Sequence, residues 1–117
     1  MPQTVLIVDD HAGFRQVARA ILEAEGFAVV GESATGRDAL DAVERLEPKL
    51  VLLDIGLPDL DGIEVAGRLT TAHRSLAVVL TSTRDASDYR PLLDGCGACG
   101  FIPKAELSGA AVAALAA

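Results

Sequence analysis

Aspartate residues stand directly after two of the most apolar runs of the sequence. Asp9 and Asp10 follow residues 5–8 (Val-Leu-Ile-Val), and Asp54 follows residues 50–53 (Leu-Val-Leu-Leu). Three carboxylates that share one site repel each other and do not all stay ionised without a cation. Oxygen ligands of this kind suit Mg²⁺, which binds a few carboxylates and keeps waters for a phosphate. A carboxylate beside such an ion can act as a nucleophile toward a phosphoryl group.

Groups that can hold a phosphate follow two later runs of the same kind. Thr81 and Ser82 come directly after residues 76–80, and Lys104 stands two residues after the run 99–102. A hydroxyl and an ammonium can hold phosphoryl oxygens by hydrogen bonding and ion pairing. A single aspartate after a strand is usually a turn residue or a helix cap. The four run ends taken together favour a shared phosphate site instead.

The segments that must position these residues alternate between two patterns. Five short β-prone runs, of which the second covers residues 27–30, alternate with five segments in which apolar residues recur at helical spacing. The central runs are apolar throughout, which indicates strands buried on both faces of a parallel sheet. The pattern therefore predicts an α/β fold, a doubly wound five-stranded parallel sheet of order 2-1-3-4-5 in a flavodoxin-like three-layer sandwich. Ligands of such sheets bind at the carboxyl ends of the strands, where all the residues above would lie.

Local signals predict where several helices begin and end. Thr35 and Asp61 are suited to cap the second and third helices, and Gly26 is suited to end the first. The fourth helical segment, residues 88–93, is weak and contains Pro91. Proline is tolerated only in the first turn of a helix, so we expect this element to be short or irregular.

Composition limits the classes of protein to which the chain can belong. Its 117 residues are the length of one domain, so we expect a single domain over residues 1–117 with no output domain. The net charge of −7 disfavours direct nucleic-acid binding. We expect a cytoplasmic protein with no membrane partner, because no run of about 18 apolar residues and no basic leader is present. Cys96 and Cys99 are too few for a disulfide framework, and their C-x-x-C spacing leads into a strand, which disfavours a redox role.

Four segments, in order and spread over nearly the whole chain, resemble one known family. They are residues 5–10 (VLIVDD), 50–62 (LVLLDIGLPDLDG), 78–82 (VVLTS) and 100–104 (GFIPK). The sequence resembles the receiver (phosphoacceptor) domain of bacterial two-component response regulators. The pairs Asp10-His11 and Phe14-Arg15 resemble the subfamily that often carries a helix-turn-helix output domain.

The resemblance implies a phosphoacceptor and a metal site. Asp54 would be the phosphoacceptor. The cofactor would be Mg²⁺, held by the carboxylates of Asp9, Asp10 and Asp54 and by the backbone carbonyl of Gly56. Among the side chains and backbone groups at this site, only an aspartate carboxylate can form a mixed anhydride with phosphate.

The resemblance also implies groups that respond to the phosphoryl group. Thr81 would donate a hydrogen bond to it, Lys104 would pair with it, and Phe101 would be the switch aromatic that follows Thr81. Two departures from the family pattern bear on these roles. Ala105 stands where the family usually has a proline in a cis bond; a cis bond to a non-proline residue costs about 3–4 kcal/mol, and the sequence leaves open whether the bond after Lys104 is cis or trans. The segment from Thr81 to Lys104 is one residue longer than usual, so Ser82 is a rival for the hydroxyl role.

The resemblance implies a phosphorylation-controlled signalling switch rather than an enzyme. The phosphoryl donor would be a sensor histidine kinase or a phosphotransfer protein. A second copy of the chain or a downstream effector would bind the face made by helix 4, strand 5 and helix 5. One alternative is an aspartate-nucleophile phosphohydrolase, which usually has Asp-x-Asp after its first strand and a cap insertion. The other alternative is a receiver-like interaction scaffold that is independent of phosphate.

Overall fold

A computed structural model describes residues 3–83, 97–98 and 100–116 of the chain. Its strands are β1 (Thr4–Val8), β2 (Ala28–Ser33), β3 (Leu50–Asp54), β4 (Ala77–Ser82) and β5 (Gly100–Pro103). The helices among these residues are α1 (Ala12–Glu25), α2 (Gly36–Leu46), α3 (Gly62–Ala72) and α4 (Gly109–Ala116), and a 3-10 turn covers Lys104–Glu106. The helical segment predicted at residues 88–93, Pro91 and both cysteines lie outside the described residues.

The five strands form one parallel sheet, and their order β2-β1-β3-β4-β5 confirms the predicted doubly wound topology. Alternate strand residues enter two separate cores. One core contains Leu6, Val51 and Leu80 and is closed by helices α2 and α3. The other contains Ile7 and Leu52 and is closed by helices α1 and α4. The central strands are therefore buried on both faces, as their continuous apolar sequence indicated.

Polar residues continue this alternation at the carboxyl ends of three strands. Asp9, Asp54 and Thr81 stand two positions after Ile7, Leu52 and Val79, which all belong to the core closed by α1 and α4. Successive strand residues point to opposite faces, so these three side chains lie on the α1/α4 side of the sheet. Ser82 stands two positions after Leu80 and has the opposite parity.

The predicted helix ends are confirmed. The side chain of Thr35 accepts a hydrogen bond from the Asp38 N–H at 3.1 Å, and Asp61 accepts one from the Ile63 N–H at 2.8 Å. Gly26 ends α1 with a φ of 103°, a left-handed conformation that favours glycine.

Strand β2 is longer at its carboxyl end than its apolar residues indicated. The sequence predicts a strand over residues 27–30, but pairing with β1 continues to Ser33, which lies opposite Val8. β2 is an edge strand. Its backbone can form hydrogen bonds with β1 wherever the two strands run side by side. This pairing does not require apolar side chains on β2.

The peptide bond between Lys104 and Ala105 is trans, because the described residues contain no cis peptide bond. None of the helices described is long and apolar enough to cross a membrane.

Candidate functional site

Acidic side chains converge at the carboxyl edge of the sheet. Asp9, Asp10, His11 and Asp54 each offer one ligand atom, and these atoms all lie within 4.8 Å of one another. Asp9 and Asp54 are buried, whereas Asp10 and His11 are exposed. The loop after β1 lies beside Asp54, the last residue of β3, because β1 and β3 are neighbours in the sheet. The cluster concentrates negative charge where a cation would be stabilised.

Lys104 places a positive charge beside the two buried carboxylates. Its Nζ lies 2.6 Å from Oδ2 of Asp9 and 3.5 Å from Oδ2 of Asp54. The same ammonium lies 4.5 Å from the centroid of the Phe14 ring, a cation–π contact from helix α1. The side chain of Lys104 is 12% exposed and that of Asp9 is fully buried, so solvent screens this pair little. Lys104 thus offsets part of the acidic charge at the site.

The environment of Asp54 disfavours its ionised form. Burial is the main cause that raises the pKa of this carboxyl group, and the nearby charge of Asp9 raises it further. The Lys104 ammonium and the Gly56 N–H, which donates to Asp54 Oδ1 at 3.2 Å, lower the pKa only in part. These two groups therefore offset the negative charge of the Asp54 carboxylate only in part, and a bound cation would offset more of it.

The last two residues of strand β4, Thr81 and Ser82, carry hydroxyl groups near Asp54, and the two differ in position. Thr81 is the partner of Asp54 in the register of β3 and β4, and it is 1% exposed. Its Oγ1 has no hydrogen-bond partner among the described residues. An unpartnered buried hydroxyl is costly unless a ligand satisfies it. Ser82, in contrast, lines the adjoining cavity and has interaction partners in the structure.

An open cavity of about 430 Å³ lies over the acidic cluster. Its lining brings together residues at or after the carboxyl ends of four strands: His11, Asp54, Ile55, Gly56, Asp61, Ser82, Thr83 and Lys104. Phe101 is outside this lining. It is the partner of Leu80 in the register of β4 and β5 and packs against the core closed by α2 and α3. The predicted site residues other than Phe101 thus lie together at this edge of the sheet. Phe101 lies on strand β5, next to the strand that carries Thr81.

Arg15 is a contact of the site that the sequence did not indicate. Its guanidinium donates to the backbone carbonyl of Asp9 at 2.6 Å and to Glu32 at 3.0 Å. Arg19 donates to the same Glu32 carboxylate at 2.9 Å. These arginine hydrogen bonds outweigh the effect of burial and lower the pKa of Glu32. The loop after β1 is therefore fixed to helix α1 and to strand β2.

Asp59 fixes the loop after β3 in a similar way. Its carboxylate accepts hydrogen bonds from the backbone N–H groups of Gly36 at 2.8 Å and Arg37 at 3.0 Å, at the first turn of helix α2. Burial raises the pKa of Asp59, but these and other backbone hydrogen bonds together lower it below its usual value. A Cβ at Gly36 would lie 3.0 Å from Leu60 and Val65, so the helix start is close against the loop. No local sequence signal identifies this contact, since its partners are 23 residues apart.

A family model of the response regulator receiver domain matches residues 5–116. The chain belongs to the response regulator receiver family. A solved structure of the NarL receiver domain from Mycobacterium tuberculosis superposes on this receiver domain with a TM-score of 0.88 and 30% identity, over 98% of this chain and 96% of that one. That agreement confirms both the family and the flavodoxin-like fold.

Curated relatives match this receiver domain over part of their own, longer chains. BvgA of Bordetella pertussis, named as a positive transcription regulator of virulence factors, is 41% identical over 91% of this chain. A protein-glutamate methylesterase/protein-glutamine glutaminase of Nitrobacter winogradskyi is 40% identical over 90% of this chain. The matches cover 51% and 25% of those two relatives, so the chain spans about half of one and a quarter of the other.

Proposed function

We propose that this receiver domain is a phosphorylation-controlled switch in which Asp54 is the phosphoacceptor. The observation that carries the proposal is the position of the Asp54 carboxylate. It is buried beside Asp9 and Lys104, yet it lines an open cavity that a phosphoryl donor can enter. The donor is a phosphohistidine of a sensor histidine kinase or of a phosphotransfer protein.

The chemical step is a displacement at phosphorus. An Asp54 carboxylate oxygen attacks the phosphorus atom, and the P–N bond of the donor breaks with its electron pair returning to the imidazole nitrogen. The product is an acyl phosphate on Asp54. Lys104, 3.5 Å from the carboxylate, is placed to pair with the phosphoryl oxygens, and the unpartnered hydroxyl of Thr81 is placed to donate a hydrogen bond.

The residues at the site fit the Mg²⁺ ion of the family. Carboxylates of Asp9, Asp10 and Asp54 and the backbone carbonyl of Gly56 would hold it, and the incompletely compensated charge of the cluster supports this assignment. When bound, the ion neutralises charge on the transferred phosphoryl group. The Gly56 N–H already faces Asp54, so the Gly56 backbone belongs to the site.

The proposed output is a change in a protein-binding face. Phe101 would follow Thr81 and alter the face predicted from helix 4, strand 5 and helix 5, of which strand β5 and the C-terminal helix α4 are described and the fourth helical segment lies outside the described residues. A second copy of the chain or a downstream effector would bind there. We place this single receiver domain in the cytoplasm, without direct contact to nucleic acid or membrane; its relatives join the receiver to regulator or esterase regions that this chain does not cover.

The alternatives are an aspartate-nucleophile phosphohydrolase and a scaffold that is independent of phosphate. Incubation with acetyl phosphate and Mg²⁺ separates the three. A switch acquires one phosphoryl group per chain, seen by intact mass, and releases phosphate slowly. A phosphohydrolase releases phosphate over many turnovers, and a scaffold acquires no adduct. Multiple turnovers or the absence of an adduct would contradict the switch.

A further inference from the structure

The Lys104 ammonium lies over the face of the Phe14 ring. Its Nζ is 4.5 Å from the ring centroid. The face of an aromatic ring is negatively polarised and attracts a cation at this distance. Phe14 is not among the predicted site residues, yet its ring is in direct contact with one of them.

Phe14 presents its ring from a fixed position. It stands in the first turn of helix α1 and packs, partly buried, against the core closed by α1 and α4. The side chain of Lys104 is 12% exposed. Because a cation–π contact is stronger where water is excluded, the ring attracts this ammonium more than it would attract an exposed one.

A long flexible stem separates the ammonium of Lys104 from its backbone. The residue opens a 3-10 turn, and its bond to Ala105 is trans, where the family usually has a cis proline. The position of the Nζ atom therefore depends on the groups around it. These groups include the carboxylates of Asp9 at 2.6 Å and Asp54 at 3.5 Å, and the Phe14 ring.

We propose that Phe14 is a positioning residue, whose ring holds the Lys104 ammonium beside Asp54, where the ammonium meets an incoming phosphoryl group. The ion pair with Asp54 changes when that carboxylate becomes an acyl phosphate, whereas the uncharged ring keeps the same attraction throughout. Without the ring, the ammonium loses a contact that depends on neither carboxylate, and it spends less time beside Asp54. The inference rests on the proposed function, because it concerns the same lysine and the same transfer.

Side-chain NMR of the full, unphosphorylated chain tests the position of Lys104. The chain has two lysines, and the exposed Lys49 is the internal control. An aromatic ring shifts protons above its face upfield, so the Cε–H signals of Lys104 should lie upfield of those of Lys49. Phe14→Leu should remove this shift, and Phe14→Tyr should keep it. Phe27→Leu, an equal change in the same core at the opposite edge of the sheet, should also keep it.

The rate at which acetyl phosphate labels Asp54, with Mg²⁺ in excess, tests the consequence for phosphorylation. In Phe14→Leu this rate should fall about threefold to thirtyfold, which corresponds to the strength of a cation–π contact. Phe14→Tyr should stay within about twofold of the parent, because a tyrosine ring also attracts cations. A series with mono-, di- and trifluorophenylalanine in place of Phe14 keeps the ring but withdraws electrons from its face. The rate should fall stepwise along this series.

An unchanged Lys104 signal in Phe14→Leu would overturn the proposal, as would a constant labelling rate along the fluorinated series. A ring that only fills space in the core would give that constant rate. The NMR comparison needs no phosphoryl group, so it decides the position of Lys104 whether or not Asp54 is labelled. Absence of labelling in the parent chain would contradict the phosphoacceptor assignment instead, so the two failures are distinguishable.

Discussion

Thr81 and Asp54 are partners on neighbouring parallel strands, and both side chains lie on the side of the sheet that faces helices α1 and α4. The next residue, Ser82, follows the parity of Leu80 and belongs to the opposite face. The register therefore places the Thr81 hydroxyl, which has no partner among the described residues, beside the proposed phosphoacceptor.

Thr81→Ala should weaken the response to phosphorylation more than phosphorylation itself. The substitution removes the hydrogen bond proposed between Thr81 and the phosphoryl group but leaves Asp54, the acidic cluster and Lys104 in place. We expect Thr81→Ala to label with acetyl phosphate while the NMR shift changes around Phe101 shrink. Ser82→Ala is the matched control and should respond like the parent chain. A larger loss in Ser82→Ala than in Thr81→Ala would show that Ser82 carries the hydroxyl role.

Lys104→Gln should destabilise the metal-free protein. The change removes the Lys104 ion pair of the fully buried Asp9 carboxylate, and Asp54 loses the ammonium that lies 3.5 Å away. We expect a loss of about 3 kcal/mol in the free energy of unfolding, the lower end for removing one partner of a buried pair. Urea denaturation in EDTA measures it. Lys49→Gln, at the only other lysine, lies on the surface and should change stability by less than about 0.5 kcal/mol. Equal effects would refute the importance of the buried pair.

Asp54→Asn should be more stable than the parent chain at neutral pH without Mg²⁺. Burial raises the pKa of Asp54 in the folded state, so the folded protein holds this proton more tightly than the unfolded chain does. The associated stability is present below the unfolded pKa and is lost as the pH rises through the folded pKa. The variant escapes this loss, and its advantage should disappear below a pH of about 4. Urea unfolding at neutral and acidic pH measures the difference. A variant less stable than the parent at neutral pH in EDTA would contradict the direction of the shift.

Asp59→Ala should loosen the first turn of helix α2 and the loop after β3. The substitution removes the acceptor of the Gly36 and Arg37 N–H groups. These amides should lose protection from hydrogen exchange, while amides in α1 keep theirs. Because the pKa of Asp59 is lowered in the folded state, its contribution to stability is present above the unfolded pKa and is lost as the pH falls through the folded pKa. Unchanged exchange at Gly36 would rule out this role.

The sequence predicted the sheet and most of the site because both depend on strand ends. Apolar runs located the strands, and the parallel topology brought Asp9, Asp54 and Lys104 to one edge. The contacts of Arg15 with the Asp9 carbonyl and of Asp59 with helix α2 were not predictable in this way. They join polar groups that are distant in sequence or act through the backbone, and neither leaves a periodic pattern. The carboxyl end of β2 was missed because edge pairing does not need apolar side chains.

Covalent labelling of Asp54 tests the central claim most directly. The full chain is incubated with acetyl phosphate and Mg²⁺, and intact mass and peptide mapping after reduction of the acyl phosphate locate the adduct. Asp54→Asn is compared with Asp41→Asn, an equal change at an exposed aspartate on helix α2. We expect one phosphoryl group on the parent and on Asp41→Asn, mapped to Asp54, and none on Asp54→Asn. An adduct of the same yield on Asp54→Asn, or one mapped to another residue in the parent, would contradict the assignment of Asp54 as the phosphoacceptor.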